Sequence, residues 1–221
     1  MINVALLGFG RIGQMHAQNI YLNKTLNLLY VYEKIDKLGK KAKNLYNCKI
    51  EKNYKKIFSD EKVDIIFISS PTNTHIKFIE EGIKYNKTIF CEKPLDLNIN
   101  KIVKTFKKVK KNNSKIQMGF NRRFDPGHHS IKKDLQKGKI GRLEKIIITS
   151  RDPAPPSMNY LKISGGIFRD MMIHDFDLTR FYLQKDEVES VFTIASNISN
   201  KNFNKINDYE LATCVLKSKK G

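Results

Sequence analysis

The stretch INVALLGFGRIG, Ile2 to Gly13, decides the fold. An apolar run of strand length is followed at once by three glycines spaced as GxGxxG, and these open a segment of helical period, QMHAQNIYL. A strand turning sharply into a helix needs glycine at Gly8 for the turn, at Gly10 so that backbone can approach a pyrophosphate, and at Gly13 so that helix and strand can pack closely. Arg11 and Ile12 complete the turn, and the main-chain N–H groups here lie at a helix N-terminus, where phosphates bind. Twenty positions beyond Gly13, Glu33 ends the apolar run LNLLYVY. A carboxylate there accepts hydrogen bonds from an adenosine ribose and repels a 2′-phosphate, which favours NAD over NADP.

Working outward, apolar runs at 26–32, 63–69, 88–91 and 115–120 alternate with helical stretches at 11–22, 34–46, 73–86 and 98–112. This alternation implies an α/β class with a parallel sheet covered on both faces, a Rossmann dinucleotide-binding domain over 1–120. From 121 the pattern changes. NRRFDPGHH reads as a loop and helix start, 129–137 as a helix, and KIGRLEKIIITS, 139–150, as a long strand. A Pro-rich loop, RDPAPPSMNY, a GG pair, a helix through RDMMIHDFD and strands near 187–196 and 209–216 complete an α+β domain over 121–221, built on an open, mostly antiparallel sheet. LATCVLKSKKG reads as a strand entering a hairpin turn without a returning strand, so the expectation is a chain lacking the rest of that sheet.

The 221 residues carry 41 basic and 22 acidic side chains, a net charge of +19. The lysines are spread along the chain with abundant Asn and Ile, as in AT-rich coding sequence. Their densest run, NKIVKTFKKVKKNNSK, sets Ile102, Val103, Phe106 and Val109 on one helical side and lysines on the other, a solvated face rather than a nucleic-acid stripe. Cys48, Cys91 and Cys214 are far apart and form no CxxC, so neither a disulfide framework nor a metal site is expected. No apolar run is long enough to cross a bilayer, and VALLGF reads as a strand rather than a signal peptide. A cytoplasmic protein with no membrane partner is the expectation.

Two segments follow apolar runs at their carboxyl ends, the edge at which open α/β sheets bind ligands. In SSPTNTH, 69–75, Ser70, Pro71, Asn73 and His75 are candidate cofactor contacts. Thr72 or Asn73 equally reads as a helix cap, and His75 as surface packing. In CEKPL, 91–95, Glu92 and Lys93 emerge at the same edge, with Pro94 fixing the backbone behind the lysine. A lysine near a nicotinamide cation and a hydroxyl can pass protons, although residue type alone does not single out Lys93 in so lysine-rich a chain. In RDMMIHDFD, Asp170 and His174 are four apart and would share one helical face. Charged groups among Met, Ile and Phe mean a face that is exposed or borders a polar cavity.

Together GFGRIG, EKP, MGFNRRFDP, SRDPAPP and GGIFRDMMIHDFD occur in the order of the glucose-fructose oxidoreductase/inositol dehydrogenase family, which the chain resembles over essentially its whole length. SRDPAPP with GGIFRDMMIHDFD is most similar to the family's inositol dehydrogenase branch. The resemblance implies NAD-dependent oxidation of a cyclitol, myo-inositol to its 2-keto product in inositol catabolism, and a second domain that family members use to form tetramers. It also implies a catalytic trio, Lys93, Asp170 and His174, and a substrate-side arginine, Arg122. Arg122, Asp152 and Asp170, beside Lys93 and His174, are then the candidate substrate contacts. A secondary alcohol gives up hydride only as its hydroxyl proton leaves. His174, with an ordinary pKa of about 6.5, suits that proton, Asp170 orients the imidazole or a sugar hydroxyl, and Lys93 relays. Asp175, Asp177, His128 and His129 read as structural. Oxidation of scyllo-inositol or glucose, or an inactive cofactor-binding fragment, are the alternatives.

Overall fold

β1 (Ile2–Leu7) lies at the centre of the first unit because its side chains are apolar toward both faces. Val4, Ala5, Leu6 and Leu7 have no exposed surface. Alternate residues of a strand point to opposite faces. Val4 and Leu6 thus join one core with Phe9, Ala17, Ile20 and Val31, while Ala5 and Leu7 join the other with Ile57, Phe58, Phe78 and Ile79. Each Val, Leu, Ile or Phe so buried contributes about 1.5–3 kcal/mol.

The computed structural model describes residues 1–220 and separates into two units, Met1–Gly119 and the chain from Phe120 onward. In the first, β1 is followed by α1 (Arg11–Leu22), β2 (Leu26–Tyr32), α2 (Asp36–Tyr46), β3 (Lys49–Glu51), α3 (Tyr54–Ser59), β4 (Ile65–Ile68), α4 (His75–Lys84), β5 (Thr88–Cys91), α5 (Ile99–Lys111) and β6 (Ile116–Met118). All pairings are parallel, in the order β3-β2-β1-β4-β5-β6. The strand order reverses between β1 and β4, the place where doubly wound sheets bind nucleotides. Polar side chains set the helix starts: Asn98 accepts from Asn100 N at 2.9 Å at the head of α5, and Asn53 from Lys55 N at 3.1 Å at the head of α3. Asn47, in the left-handed region at φ 50°, ends α2.

The second unit starts with a 3-10 turn, Asn121–Phe124, and α6 (Pro126–Gln136), whose cap Asp125 accepts from Gly127 N and His128 N. Then come α7 (Met158–Ser164), α8 (Gly166–Asp170), α9 (Ile173–Leu183), β7 (Val188–Ser196) and β8 (Leu211–Ser218), the last two an antiparallel pair running from Val188↔Ser218 to Ser196↔Leu211. The architecture is therefore a Rossmann-type parallel sheet with helices, followed by a two-stranded antiparallel sheet.

Three expectations are corrected. The strand over 139–150 is absent: half-buried Ile146 and Ile148 alternate with exposed Ile147, so the strand period is kept, but no ladder partner lies beside them among the described residues. The segment around Met158 is a helix, started by Ser157 accepting from Tyr160 N, rather than continuing the loop. The helix through RDMMIHDFD is interrupted at Met171–Met172, where Met172 N bonds to Ile167 O and His174 N to Met171 O in place of an unbroken i→i−4 ladder. Asp170 thus ends α8 while His174 lies in the first turn of α9, so the two do not share one helical face. Among the described residues, no helix is long and apolar enough to cross a membrane.

Candidate active site

The glycine turn is held from three sides. Gly8 N donates to Tyr32 O at 2.9 Å, Phe9 N donates to Glu33 Oε2 at 2.9 Å, and the Ser69 hydroxyl lies 3.0 Å from Gly8 O. Gly8 sits at φ +96°, and a Cβ there would meet Ser70 backbone at 2.8 Å. At Gly10 the opposite holds, since a Cβ would meet nothing within 4 Å. That open face, in front of the N–H groups that begin α1, is a cradle of the kind a pyrophosphate fills. Arg11 is exposed and Ile12 half-buried at its rim. Glu33 Oε1 accepts from Ile35 N at 2.9 Å, so its carboxylate is fixed at the end of β2 before any ligand arrives.

At the same sheet edge, Ser70 Oγ and Thr74 Oγ1 are 2.6 Å apart, and Thr74 Oγ1 donates to Pro71 O at 2.7 Å, shaping the loop that presents Pro71 and Asn73 to solvent. His75 departs from both readings of the sequence. It is neither on the surface nor at the rim but 1% exposed, with Nε2 2.8 Å from Ser70 O and Nδ1 2.9 Å from Pro94 O. Burial pushes its pKa below the usual histidine value, against the pull of these two carbonyls. The ring therefore braces the two loops through both of its nitrogens. Glu92 also turns inward, toward His16 of α1 at 2.7 Å, and its Oε2 accepts from Lys93 N at 3.2 Å. Lys93 itself is half-buried at the end of β5.

In the second unit the acids of RDMMIHDFD divide. Asp177 is buried and accepts from Arg123 twice, Nε at 2.7 Å and Nη2 at 2.6 Å, while Asp175 pairs with Arg122 Nη1 and accepts from Ser150 Oγ at 2.7 Å. These are the groups that answer the charge of NRRF, in keeping with a structural reading of both acids. Arg122 is engaged with Asp175 and lies 3.2 Å from Ser150 Oγ. Asp170 accepts from Tyr160 Oη at 3.0 Å, and Asp170 and exposed Asp152 border the same open cleft of about 2020 Å³. That volume exceeds the roughly 300–1,000 Å³ of a small-ligand pocket, so the cleft is a trough along β8 and the extended segment before Asp152. His128 bonds through Nδ1 to Tyr182 Oη at 2.9 Å, a packing role. Among the described residues no cluster of three or more His, Cys, Asp or Glu is arranged for a metal ion.

Asp208, like His16, escaped the sequence reading. Asp208 is 6% exposed, and its Oδ1 accepts from Ile167 N at 2.9 Å and Tyr209 N at 2.8 Å, anchoring the start of the short helix that carries Asp170. This explains Gly166. At φ +81° a side chain is strained, and its Cβ would lie 2.6 Å from Asp208 Oδ1. Gly166→Ala is expected to destabilise the second unit by about 2–4 kcal/mol, from left-handed strain and overpacking together. Urea unfolding checks it, and the same cost surviving in an Asp208→Ala background would rule out the carboxylate as its cause.

With this geometry in hand, comparison with known proteins is decisive. Residues 2–120 match the model of an oxidoreductase family with an NAD-binding Rossmann fold, and residues 128–221 match the GFO/IDH/MocA C-terminal domain. The chain belongs to the GFO/IDH/MocA family. This GFO/IDH/MocA chain is 37% identical, over 220 residues, to the inositol 2-dehydrogenase of Rhizobium meliloti (strain 1021), covering all of this chain and 66% of that protein. It superposes with TM-score 0.94 and 36% identity on a myo-inositol dehydrogenase of Corynebacterium glutamicum ATCC 13032, covering all of this chain and 66% of that one. With the Lactobacillus casei scyllo-inositol dehydrogenase solved with NAD(H) and scyllo-inositol, the TM-score is 0.87 at 28% identity, over all of this chain and 67% of that one. The GFO/IDH/MocA chain thus spans about two thirds of the length of these relatives.

The residues present fit NAD: an open cradle at Gly10, three glycines at a turn where two of them admit no side chain, and a carboxylate fixed at the end of β2. Hydrogen bonds to a charged group contribute about 1.5–3 kcal/mol. Glu33→Ala is therefore expected to weaken NADH binding by about tenfold or more and NADPH binding less, the shared part being the acceptor that Phe9 N loses, in fluorescence titrations with each. Equal losses for both nucleotides would remove the ribose role.

Proposed function

We propose that this chain carries an NAD-dependent oxidation of a cyclitol, myo-inositol to its 2-keto product, in the cytoplasm. The observation that carries the reading is the pairing of an open pyrophosphate cradle at Gly10 with Lys93 held at the same edge of one sheet. The likeness to inositol dehydrogenases supports the substrate class.

In this reading the N–H groups of Gly10 to Gly13, with Arg11 and Ile12, hold the pyrophosphate, and Glu33 holds the ribose. Ser70, Pro71, Asn73 and Glu92 form the edge beside them. Bound NAD supplies the hydride acceptor. His174 takes the hydroxyl proton, Asp170 hydrogen-bonds the imidazole or a neighbouring hydroxyl, and Lys93 steadies alkoxide charge and relays the proton. Asp152 and Arg122 add contacts to the polyol. Arg122 does so from a guanidinium already oriented by Asp175.

With the second domain complete, this reading has the protein assemble as a homotetramer, and an exposed face of the β7–β8 pair is offered in its support. Phe192, Ile194, Leu211 and Val215 stand on one face of β7–β8 and are 53–64% exposed, an apolar patch that suits a second copy.

The test is NADH formation by the purified chain with myo-inositol, scyllo-inositol and glucose in parallel, beside light scattering for the oligomer. Turnover fastest with myo-inositol is the expected result. Faster scyllo-inositol or glucose turnover would shift the substrate within the class, and NADH binding with no turnover on any of them would leave a cofactor-binding module in place of an enzyme.

A further inference from the structure

The two residues that flank Lys93 in sequence are each held by a histidine from a different element. On one side His16 Nε2 is 2.7 Å from Glu92 Oε1, with side chains only 14% and 18% exposed. On the other His75 Nδ1 is 2.9 Å from Pro94 O. His16 stands on α1, the helix that opens at the glycine cradle, and its ring packs edge-on against Phe67 and Phe90 at 5.3 and 5.2 Å. His75 begins α4 at the end of the Ser70–Thr74 loop, to which its Nε2 reaches back at Ser70 O, 2.8 Å away. The Glu92 carboxylate lies close over Gly119, where an added Cβ would meet it at 3.1 Å, so glycine leaves it the space it occupies.

We propose that His16 and His75 are positioning residues, which clamp the Glu92–Pro94 segment from both ends and so set the aim and reactivity of the Lys93 amine from the two segments that form the cofactor edge. The inference rests on the reading of Lys93 as the reacting lysine.

The chemistry of imidazole explains the residue type. A neutral ring has one donor and one acceptor, so His75, facing two carbonyls, donates to only one at a time. It thereby bonds one loop while packing against the other. His16 instead meets a carboxylate, a charge-assisted contact that is stronger than a neutral one, and fixes Glu92 Oε1 while Oε2 accepts from Lys93 N. Any shift of α1 at its N-terminus reaches the residue before Lys93 through His16, and any shift of the Ser70–Thr74 loop reaches the residue after it through His75.

The experiment is competitive acetylation of the whole chain by acetic anhydride, read peptide by peptide by mass spectrometry, with exposed Lys101 as internal reference, with and without NADH. His16→Phe removes the partner of Glu92, His16→Gln keeps an N–H donor, and His75→Gln keeps one of two contacts. In the native chain NADH is expected to change Lys93 labelling relative to Lys101. His16→Phe and His75→Gln should raise it about threefold or more without NADH and abolish the NADH response, while His16→Gln stays near native. Native labelling of Lys93 in folded His16→Phe overturns the proposal, as does equal disturbance by His16→Gln, which would mark simple packing. If His75→Gln does not fold, by circular dichroism, the His16 pair decides alone. Absence of cyclitol turnover with this labelling pattern intact would count against the proposed function and leave the clamp standing.

Discussion

Gly13→Ala is expected to weaken NADH binding by about 100-fold or more and to destabilise the first unit, whereas Gly10→Ala should leave the fold untouched and weaken binding alone. A Cβ on Gly13 would lie 2.1 Å from Gly8 O and 2.9 Å from Gly8 C, with Ser69 Oγ at 3.0 Å. The near atoms are backbone and cannot swing aside. Gly8 is tied to Tyr32 O, its neighbour Phe9 to Glu33, and Ser69 N to Leu7 O, each at 2.9 Å. Relief therefore requires α1 to retreat from β1, carrying its N–H groups away from the proposed pyrophosphate position. Overpacking of this kind costs about 1–3 kcal/mol, and an immobile backbone puts it at the upper end. At Gly10 nothing lies within 4 Å, so an added methyl meets only the ligand. Thermal unfolding and NADH titration of the two variants separate the effects: binding by Gly13→Ala as tight as native would show that α1 does not hold the pyrophosphate.

The glycine turn was legible because its demands are local: covalent backbone geometry admits few residues at a strand-to-helix turn, and the same window holds the periods of strand and helix. The parallel sheet was legible for a similar reason, since strands buried on both faces read as continuous apolar runs. β3 spans three residues, too few for a period to register. The 139–150 segment has the right alternation, but a strand exists only where a partner offers a ladder, which no local pattern reports. At Met171–Met172 no Gly or Pro announces the break in the helix. The roles of His16, His75 and Asp208 were out of reach because they are made at a distance, 76 residues from His16 to Glu92 and 41 from Ile167 to Asp208. Charge pattern alone likewise left open that Asp175 and Asp177 answer Arg122 and Arg123.

Lys93→Ala and His174→Ala should each lower kcat by about 10²- to 10⁴-fold while NADH affinity stays within about twofold of native, the size expected when a positioned acid or base is removed from proton transfer. Affinity is spared because, in the proposed function, the pyrophosphate and ribose contacts are assigned to the glycine turn and to Glu33, whose carboxylate is held by Phe9 N and Ile35 N. Groups that serve one proton transfer are not additive: once one is gone, the other has little left to contribute. The double variant should accordingly fall only slightly below the slower single. If the two losses multiply instead, Lys93 and His174 act in separate steps, and the lysine's part is to hold charge rather than to pass the proton.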